Sequence, residues 1–218
     1  MGDVAGPERR GRPGRGALCV RESDAAFPEP FYARPAEVVA RDLLGAVLLS
    51  SVDGVVTAGT IVETEAYVGP EDDASHAAAR IGRTLRNEAM FGAPGTAYVY
   101  RIYGIHWCLN AVTDSPGHPA AVLLRAAAPI TGLETARRRR GPVADAQLMR
   151  GPGNLCRALG ITGELNGRSL IGGPVRILPG EPLPEQEVAR GPRVGITRAV
   201  DLPLRFWVRG SAAVSRGG

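Results

Sequence analysis

In the stretch "IVETEAYVGPEDDASH", two glutamates and a tyrosine stand at every second position, a spacing that could form a catalytic site. If the stretch forms a β-strand, Glu63, Glu65 and Tyr67 lie on one face, because successive side chains of a strand point to opposite faces. Ile61 belongs to the same face by the same alternation. A carboxylate beside an aromatic ring loses part of its hydration, which raises its pKa and makes it a candidate general base. A strand-edge acid paired with an arginine would show the same spacing, so that alternative stays open.

The acidic loop after this stretch offers a second chemistry. Asp72, Asp73 and His76, with Glu71 beside them, carry oxygen and imidazole donors that could hold a divalent metal ion. Acidic turns followed by a histidine are also common on solvated surfaces, where the histidine can offer a hydrogen bond to a neighbouring polar site. A metal-dependent hydrolase is therefore an alternative, and it predicts inhibition by chelators.

Three of the five tyrosines lie close together in "GTAYVYRIYGIHWCLN". Tyr98 and Tyr100 share one strand face, and Tyr103-Gly104 is typical of a hairpin tip. An exposed aromatic side chain on a turn suggests a binding partner. A protein that pulls a base out of duplex DNA needs an apolar wedge to fill the gap, and a hairpin tip could supply it. A tyrosine folded back onto its own hairpin is the alternative.

Polar residues interrupt two apolar runs. Asn110 and Arg125 each stand in an otherwise apolar strand-like segment. Because buried polar groups have hydrogen-bond partners, each is either a member of an internal network or a site residue. The run Arg137–Arg140 is most simply a solvated helix end, and in a nucleic-acid binder it would contact phosphates.

All 26 Lys and Arg residues are arginine, and the net charge is +4. Arginine makes bidentate contacts with phosphate, whereas no lysine amine is present to form a Schiff base. Three widely spaced cysteines argue against a disulfide framework and against a zinc site of the usual spacing. The hydrophobic content of 44% and the lack of a run as long as a membrane span predict a soluble, cytoplasmic protein.

The composition along the chain predicts one domain. Residues 1–16 consist largely of Gly, Pro and Arg, so we expect a disordered basic arm, followed by a single domain over residues 17–218. A helix is predicted in "RPAEVVARDLLG", with Pro35 in its first turn and Gly45 at its end. Its apolar stripe comprises Val38, Val39, Leu43 and Leu44. Two or three strands follow, with a turn at Asp53-Gly54.

The second half of the chain adds short helices between strands. Thr131 and Glu134 have capping-box spacing, which predicts a helix start there. A short helix is predicted in "NLCRALGI", ending at Gly160, and a last strand in "LRFWVRGS". Strands among a few helices, without regular β-α-β alternation, indicate an α+β fold. We expect a single mixed domain with a curved, largely antiparallel β-sheet, an exposed β-hairpin and flanking helices.

Taken together, these blocks resemble the alkyladenine (3-methyladenine) DNA glycosylases of the bacterial type, from about residue 28 to about residue 215. The most specific blocks are "IVETEAYVGPEDDASHA", "MFGAPGTAYVYRIYGIHWCLN", "AVLLRAAAPITGLETARRRR", "GPGNLCRALGI" and "PLRFWVRGS". The resemblance implies a DNA repair enzyme that flips damaged purines from duplex DNA and hydrolyses the N-glycosidic bond, leaving an abasic site.

The resemblance also implies a role for each candidate residue. Glu65 corresponds to the general base that activates the attacking water, and Arg125 to the residue that helps to hold that water. Asn110 matches the side chain that screens out normal guanine, and Tyr103 the tyrosine that intercalates into DNA. The walls of the base pocket correspond to Tyr67, His76 and Tyr100.

No cofactor or metal is implied, and the expected partner is double-stranded DNA, bound by a monomer that associates with the nucleoid through that DNA. The implied substrates are 3-methyladenine and 7-methylguanine, with hypoxanthine and ethenoadenine left open. A non-catalytic nucleic-acid-binding module is a further alternative. Two departures from the family pattern, Leu85 in "RTLRN" and Asn154 in "GPGNL", put the substrate range and one DNA contact in doubt.

Overall fold

The apolar runs of the sequence form one antiparallel sheet with short helices packed on it. The computed structural model describes residues 24–75 and 82–215, so the predicted arm over residues 1–16 lies outside the described residues. The helices are α1 Glu29–Tyr32, α2 Ala36–Asp42, α3 Leu133–Arg140 and α4 Pro152–Leu159. The strands are β1 Val47–Ser50, β2 Thr57–Tyr67, β3 Ala97–Ile102, β4 His106–Thr113, β5 Ala120–Thr131, β6 Val175–Leu178, β7 Val188–Gly191 and β8 Arg205–Val208.

The sheet is open, with the order β3-β4-β5-β2-β1-β6, and β8 joins β2 while β7 pairs with β8. Every pair is antiparallel, which confirms the predicted α+β class. The long strand β2 pairs with β5 along one edge, and along the other edge with β1 at its start and β8 at Glu63–Glu65. Because the two glutamates lie in the middle of the sheet, both are fully buried. No helix in the described part of the chain is long and apolar enough to cross a membrane.

The main core lies where α2 and α4 pack on the sheet. In α2, Val39 and Ala40 are fully buried, as is Leu43 directly after the helix, whereas Val38 is 41% exposed, so the predicted apolar stripe was wrong at Val38. The helix begins after Pro35, its N-cap, and ends before the turn at Gly45. In α4, four of the eight residues are buried, and the helix ends at Gly160 with a left-handed φ of 72°, as predicted.

Simple alternation was wrong at one point in β2. Ile61 packs in the main core together with Ala66, whereas Glu63 and Glu65 contact Arg125. The cause is an irregular register with β5, which shifts between Ile61 and Glu63 and again between Glu63 and Thr64. A bulge inserts an extra residue and re-aims the side chains that follow. The glutamate face therefore separates from the core only after Ile61.

The predicted capping box was also wrong. Thr131 is the last residue of β5, paired with Ala58, and the helix begins at Leu133 after Gly132, which has a φ of 71°. A Cβ atom at position 132 would approach the side chain of Thr57 to 2.7 Å, so the chain can turn here only with glycine. Glu134 instead forms an ion pair with Arg137. The strand ladder thus continues into the residue that the local pattern assigned to the helix cap.

Candidate active site

A cavity of about 580 Å³ opens between the β3–β4 hairpin, β5 and the loop before β8. The strand alternation places its walls, because inward-facing residues of β2, β3, β4 and β5 meet on one face of the sheet. The walls include Tyr67, Tyr100, Asn110, Leu123 and Arg125, and Tyr103 lies at the mouth. The structure therefore brings together all the predicted site residues that it describes, apart from Glu65, which lies one layer deeper.

Glu65 is fully buried directly behind the pocket wall. Its Oε1 accepts a hydrogen bond from the backbone N–H of Val194 at 2.7 Å and lies 3.2 Å from Nη1 of Arg125. The hydroxyl of Tyr67 donates to Oε2 at 3.1 Å. Arg125 and Tyr67 both line the cavity, so the carboxylate touches the pocket through these two side chains. Only Arg125, of its direct partners, carries a full positive charge.

The environment makes Glu65 a stronger base than an exposed glutamate. Burial raises the pKa of its carboxyl above the ordinary value, and the nearby negative charge of Glu63 raises it further. Arg125, the Val194 N–H and the Tyr67 hydroxyl oppose this rise without cancelling it. Burial and the adjacent Glu65 also raise the pKa of Tyr67, which keeps its hydroxyl protonated as a donor.

Aromatic rings form one side of the cavity. The ring centroids of Tyr98 and Tyr100 are 5.3 Å apart, at an interplanar angle of 30°. On the other side, the guanidinium of Arg193 lies 4.7 Å from the centroid of the Tyr67 ring. Burial raises the pKa of the nearby Cys108 thiol to about 11, so this cysteine is no thiolate nucleophile at neutral pH. A flat, electron-poor ligand would find two tyrosine-lined walls.

Asn110 lies in the pocket wall on β4. Its Nδ2 donates to the carbonyl of Tyr98 at 3.0 Å across the hairpin, in register with the Tyr98–Asn110 pair of the two strands. This bond holds the amide in one place against the cavity, because a buried amide gains from keeping its partner. The polar interruption in an apolar strand is thus both a network member and a wall residue.

The hairpin tip presents Tyr103 to solvent. The strands end at Ile102 and begin again at His106, and both Tyr103 and Gly104 have positive φ, 53° and 70°. Tyr103 is 84% exposed, which contradicts the alternative of a ring folded back onto the hairpin. Left-handed backbone at a bulky residue is uncommon and here marks the turn of the hairpin. The exposed ring of Tyr103 therefore lies at the mouth of the cavity.

His76 lies outside the described residues, so its predicted place in the pocket stays a prediction. The described part of the acidic loop has a structural role. Asp72 forms a buried ion pair with Arg193, with 2.7 Å between Oδ1 and Nη2, and both side chains are fully buried. Within residues 24–75 and 82–215, no group of three His, Cys, Asp or Glu side chains could hold a metal ion.

The arginine run at the end of α3 is occupied by contacts within the chain. Arg137 pairs with Asp145 at 2.9 Å. Arg139 donates to the carbonyl of Ala158, and Arg140 donates to that of Leu148. These contacts favour the simpler interpretation, a helix end, over a phosphate-binding cluster.

Neither departure from the family pattern lines the cavity. Leu85 is 96% exposed, between the two cavity-lining residues Thr84 and Arg86. Asn154 lies in the first turn of α4, where its Nδ2 donates to the carbonyl of Arg150 at 2.7 Å.

Four supporting groups were missed by sequence reasoning. Val194 and Arg193 come from an irregular loop, and Arg205 and Ser215 from the C-terminal part of the chain. An arginine among many arginines, a backbone N–H and a serine near the end of a chain give no local signal. The pairing of β2 with β8 brings Arg205 to Glu63, and the loop before β8 brings Val194 to Glu65 and Arg193 to Asp72.

We expect Asp72→Asn to destabilise the protein by about 3–5 kcal/mol, because it leaves the buried charge of Arg193 without its partner. The free energy of unfolding from urea titration, with and without added divalent metal, measures this. Asp73→Asn, at the exposed neighbouring position, is the control and should leave stability unchanged. Equal stability of the two variants, or rescue of the wild type by metal after chelation, would contradict the structural role of Asp72.

The chain is similar to known proteins over most of its length. The family model described as methylpurine-DNA glycosylase (MPG) matches residues 30–212. Three relatives share the name "Putative 3-methyladenine DNA glycosylase". The protein of Myxococcus xanthus (strain DK1622) is 50% identical over 194 residues, which cover 88% of this chain and 94% of the relative. That of Methanoculleus marisnigri (strain ATCC 35101 / DSM 1498 / JR1) is 49% identical over 193 residues, covering 87% of this chain and 98% of the relative.

The third relative, from Nitrosospira multiformis (strain ATCC 25196 / NCIMB 11849 / C 71), is 51% identical over 178 residues, covering 82% of this chain and 88% of its own. The family match covers most of the described residues, and the identity extends along nearly the full length of the first two relatives. The resemblance inferred from the sequence blocks is thereby confirmed. The chain belongs to the methylpurine-DNA glycosylase family, whose members are DNA repair hydrolases acting on N-glycosyl bonds.

Proposed function

We propose that the protein excises alkylated purines, 3-methyladenine and 7-methylguanine among them, from duplex DNA by hydrolysis of the N-glycosidic bond. The observation that carries this proposal is the placement of Glu65. A buried carboxylate with a raised pKa lies directly behind a tyrosine-lined cavity and is bonded to two of the residues that line it. The names of the relatives supply the purine lesion.

The cavity suits a cationic purine. Alkylation at N3 or N7 gives the base a positive charge, which makes it a good leaving group and strengthens its stacking on tyrosine rings. Tyr67 and Tyr100 would stack on the flipped base, and Asn110 in the wall would exclude the exocyclic amine of normal guanine. His76 completes this pocket in the proposal. Departure of the base leaves an oxocarbenium-like sugar, which a nearby carboxylate stabilises.

Glu65 would act as the general base. Its Oε1 already accepts from Val194 and faces Arg125, whereas Oε2 accepts only from Tyr67 and keeps capacity for a water proton. We propose that the water enters between Tyr67 and Arg125 when the base is bound. Arg125 then orients the water, and Glu65 takes its proton as the oxygen attacks the sugar carbon.

The proposal includes a monofunctional reaction. The sequence contains no lysine whose amine could attack the sugar and form a Schiff base, which supports water as the nucleophile and leaves only the terminal amine as an alternative. Borohydride added during turnover should then trap no covalent protein–DNA complex. Excision that persists in excess chelator would count against the metal-dependent alternative. Lesion binding without base release by the wild type would favour a non-catalytic binding module.

We expect the rate of base release to fall as the pH drops below neutral. The midpoint of this fall should lie above 4.5, the ordinary pKa of a glutamate. The base must be deprotonated, and burial raises its pKa, so activity rises with pH through that pKa and is constant above it. Single-turnover release from methylated duplex DNA between pH 4 and 7 measures this. The exposed Glu37→Gln should share the wild-type profile. A midpoint at or below 4.5 would show that Glu65 is not the titrating base.

A further inference from the structure

The carboxylate of Glu63 is buried and accepts several hydrogen bonds, but it has no part in the proposed chemistry. Glu63 is fully buried, and four hydrogen bonds end on its carboxylate. Nε of Arg125 donates at 2.9 Å and Nε of Arg205 at 2.8 Å. The backbone N–H and the hydroxyl of Ser215 donate at 2.6 and 2.7 Å. Such a complete set of donors holds a carboxylate in one orientation.

All three nitrogens of the Arg125 guanidinium have partners at this site. Arg125 uses Nε for Glu63, Nη1 for Glu65 and Nη2 for the hydroxyl of Ser215 at 3.3 Å. The Ser215 hydroxyl therefore accepts from Arg125 while it donates to Glu63. A guanidinium held at all three nitrogens cannot rotate towards a new partner unless it breaks one of these bonds. Glu63 and Ser215 thus fix the orientation of the Arg125 guanidinium towards Glu65.

The four charges of this network balance. Glu63 and Glu65 contribute two negative charges, and Arg125 and Arg205 two positive ones, all in the interior of the sheet. Without Glu63, Arg125 would have a single carboxylate partner, Glu65. An arginine paired with one carboxylate alone lowers the pKa of that carboxyl and weakens it as a base. Sharing the guanidinium between two carboxylates avoids this.

We propose that Glu63 is a positioning residue for base excision: together with Arg205 and Ser215 it holds Arg125 in the orientation that faces Glu65 and divides its charge between two carboxylates. The inference rests on the proposed function and adds a layer of support to it. It also assigns a role to the end of the described chain, since Ser215 supplies two of the four hydrogen bonds to Glu63.

The expected pH effect follows from the groups around Glu65. The charge of Glu63 raises the pKa of Glu65, and that of Arg125 lowers it. The other titratable or charged groups close to it come from five segments: Tyr67 on β2, Tyr100 on β3, Cys108 on β4, Arg193 in the loop before β8, and Arg205 on β8. Neutralising Glu63 removes one negative charge and frees Arg125 for Glu65, and both changes lower the pKa of Glu65.

Glu63→Gln tests the proposal. We expect the plateau rate of single-turnover base release to fall roughly 10- to 100-fold, because the attacking water and its base are misplaced. The acid limb of the pH profile should move to lower pH, while the affinity for lesion-containing duplex stays within about two-fold, since the wall residues remain. Ser215→Ala keeps the backbone N–H and loses the hydroxyl. It should lower the plateau rate and move the acid limb to lower pH, each by less than Glu63→Gln does.

Thr64→Val is the matched structural control. Thr64 is also buried on β2, but its hydroxyl donates to the carbonyl of Ala40 on the helix side of the sheet. Its loss should lower thermal stability without moving the acid limb. If Glu63→Gln folds and the acid limb of its pH profile coincides with that of the wild type, the positioning role is overturned. If Glu63→Gln does not fold, an unchanged rate and pH profile for Ser215→Ala overturns it instead. Failure of the proposed function differs from both, because the wild type would then release no base.

Discussion

Glu65→Gln should reduce base release by roughly 10²- to 10⁴-fold while lesion-containing duplex still binds, because the variant loses a general base and keeps the pocket. Glutamine has the size of glutamate and can keep the same hydrogen-bond partners, with the direction of the bond to Tyr67 reversed. Its amide oxygen can take the place of Oε1 opposite Val194 and Arg125, and its amide nitrogen can donate to the Tyr67 hydroxyl in place of Oε2. The fold should therefore be retained.

The measurement compares single-turnover release of methylated purines with equilibrium binding to the same duplex, in the presence of chelator. Glu37→Gln, on the exposed side of α2, controls for the loss of one negative charge and should behave as wild type in both assays. Loss of binding and release together, with a lowered thermal stability, would make Glu65 a structural residue. Release at the wild-type rate would exclude it as the base.

The architecture of the site was predictable where the signal is local. The hairpin at Tyr103-Gly104 follows from turn chemistry, and the common strand face of Tyr98 and Tyr100 follows from strand alternation. Arg125 was recognisable as a charge in an apolar strand, which must find a partner when buried. In each case the residue type and its immediate neighbours contain the information.

The rest depends on contacts between distant segments. The bulge after Ile61 arises from the register of β2 against β5, which neither strand encodes alone. The burial of Glu65 depends on β8 closing the edge of β2, and its hydrogen bond to Val194 depends on a loop 129 residues away. Asp72 is an example of a local pattern that misleads. By sequence it resembles a metal ligand, but in the fold it forms a buried ion pair with the distant Arg193.

The exposed ring of Tyr103 leads to the second large expected effect. Tyr103→Ala should slow single-turnover release from duplex DNA roughly 10- to 100-fold, since stacking of one base on an aromatic ring contributes about 1–3 kcal/mol. The same lesion in a single strand should be released at close to the wild-type rate, because no gap in a base stack has to be filled there. Thermal stability should not change, since the ring is 84% exposed and supports no core.

Val38→Ala is the matched control, because Val38 is an apolar side chain that is 41% exposed on α2 and does not line the cavity. It should leave release from both substrates unchanged. The ratio of duplex to single-strand rates is the decisive quantity for Tyr103→Ala, since a pocket defect slows both substrates and a lost wedge slows only the duplex. An equal loss on both would assign Tyr103 to the pocket, and an unchanged ratio with unchanged rates would remove it from the mechanism.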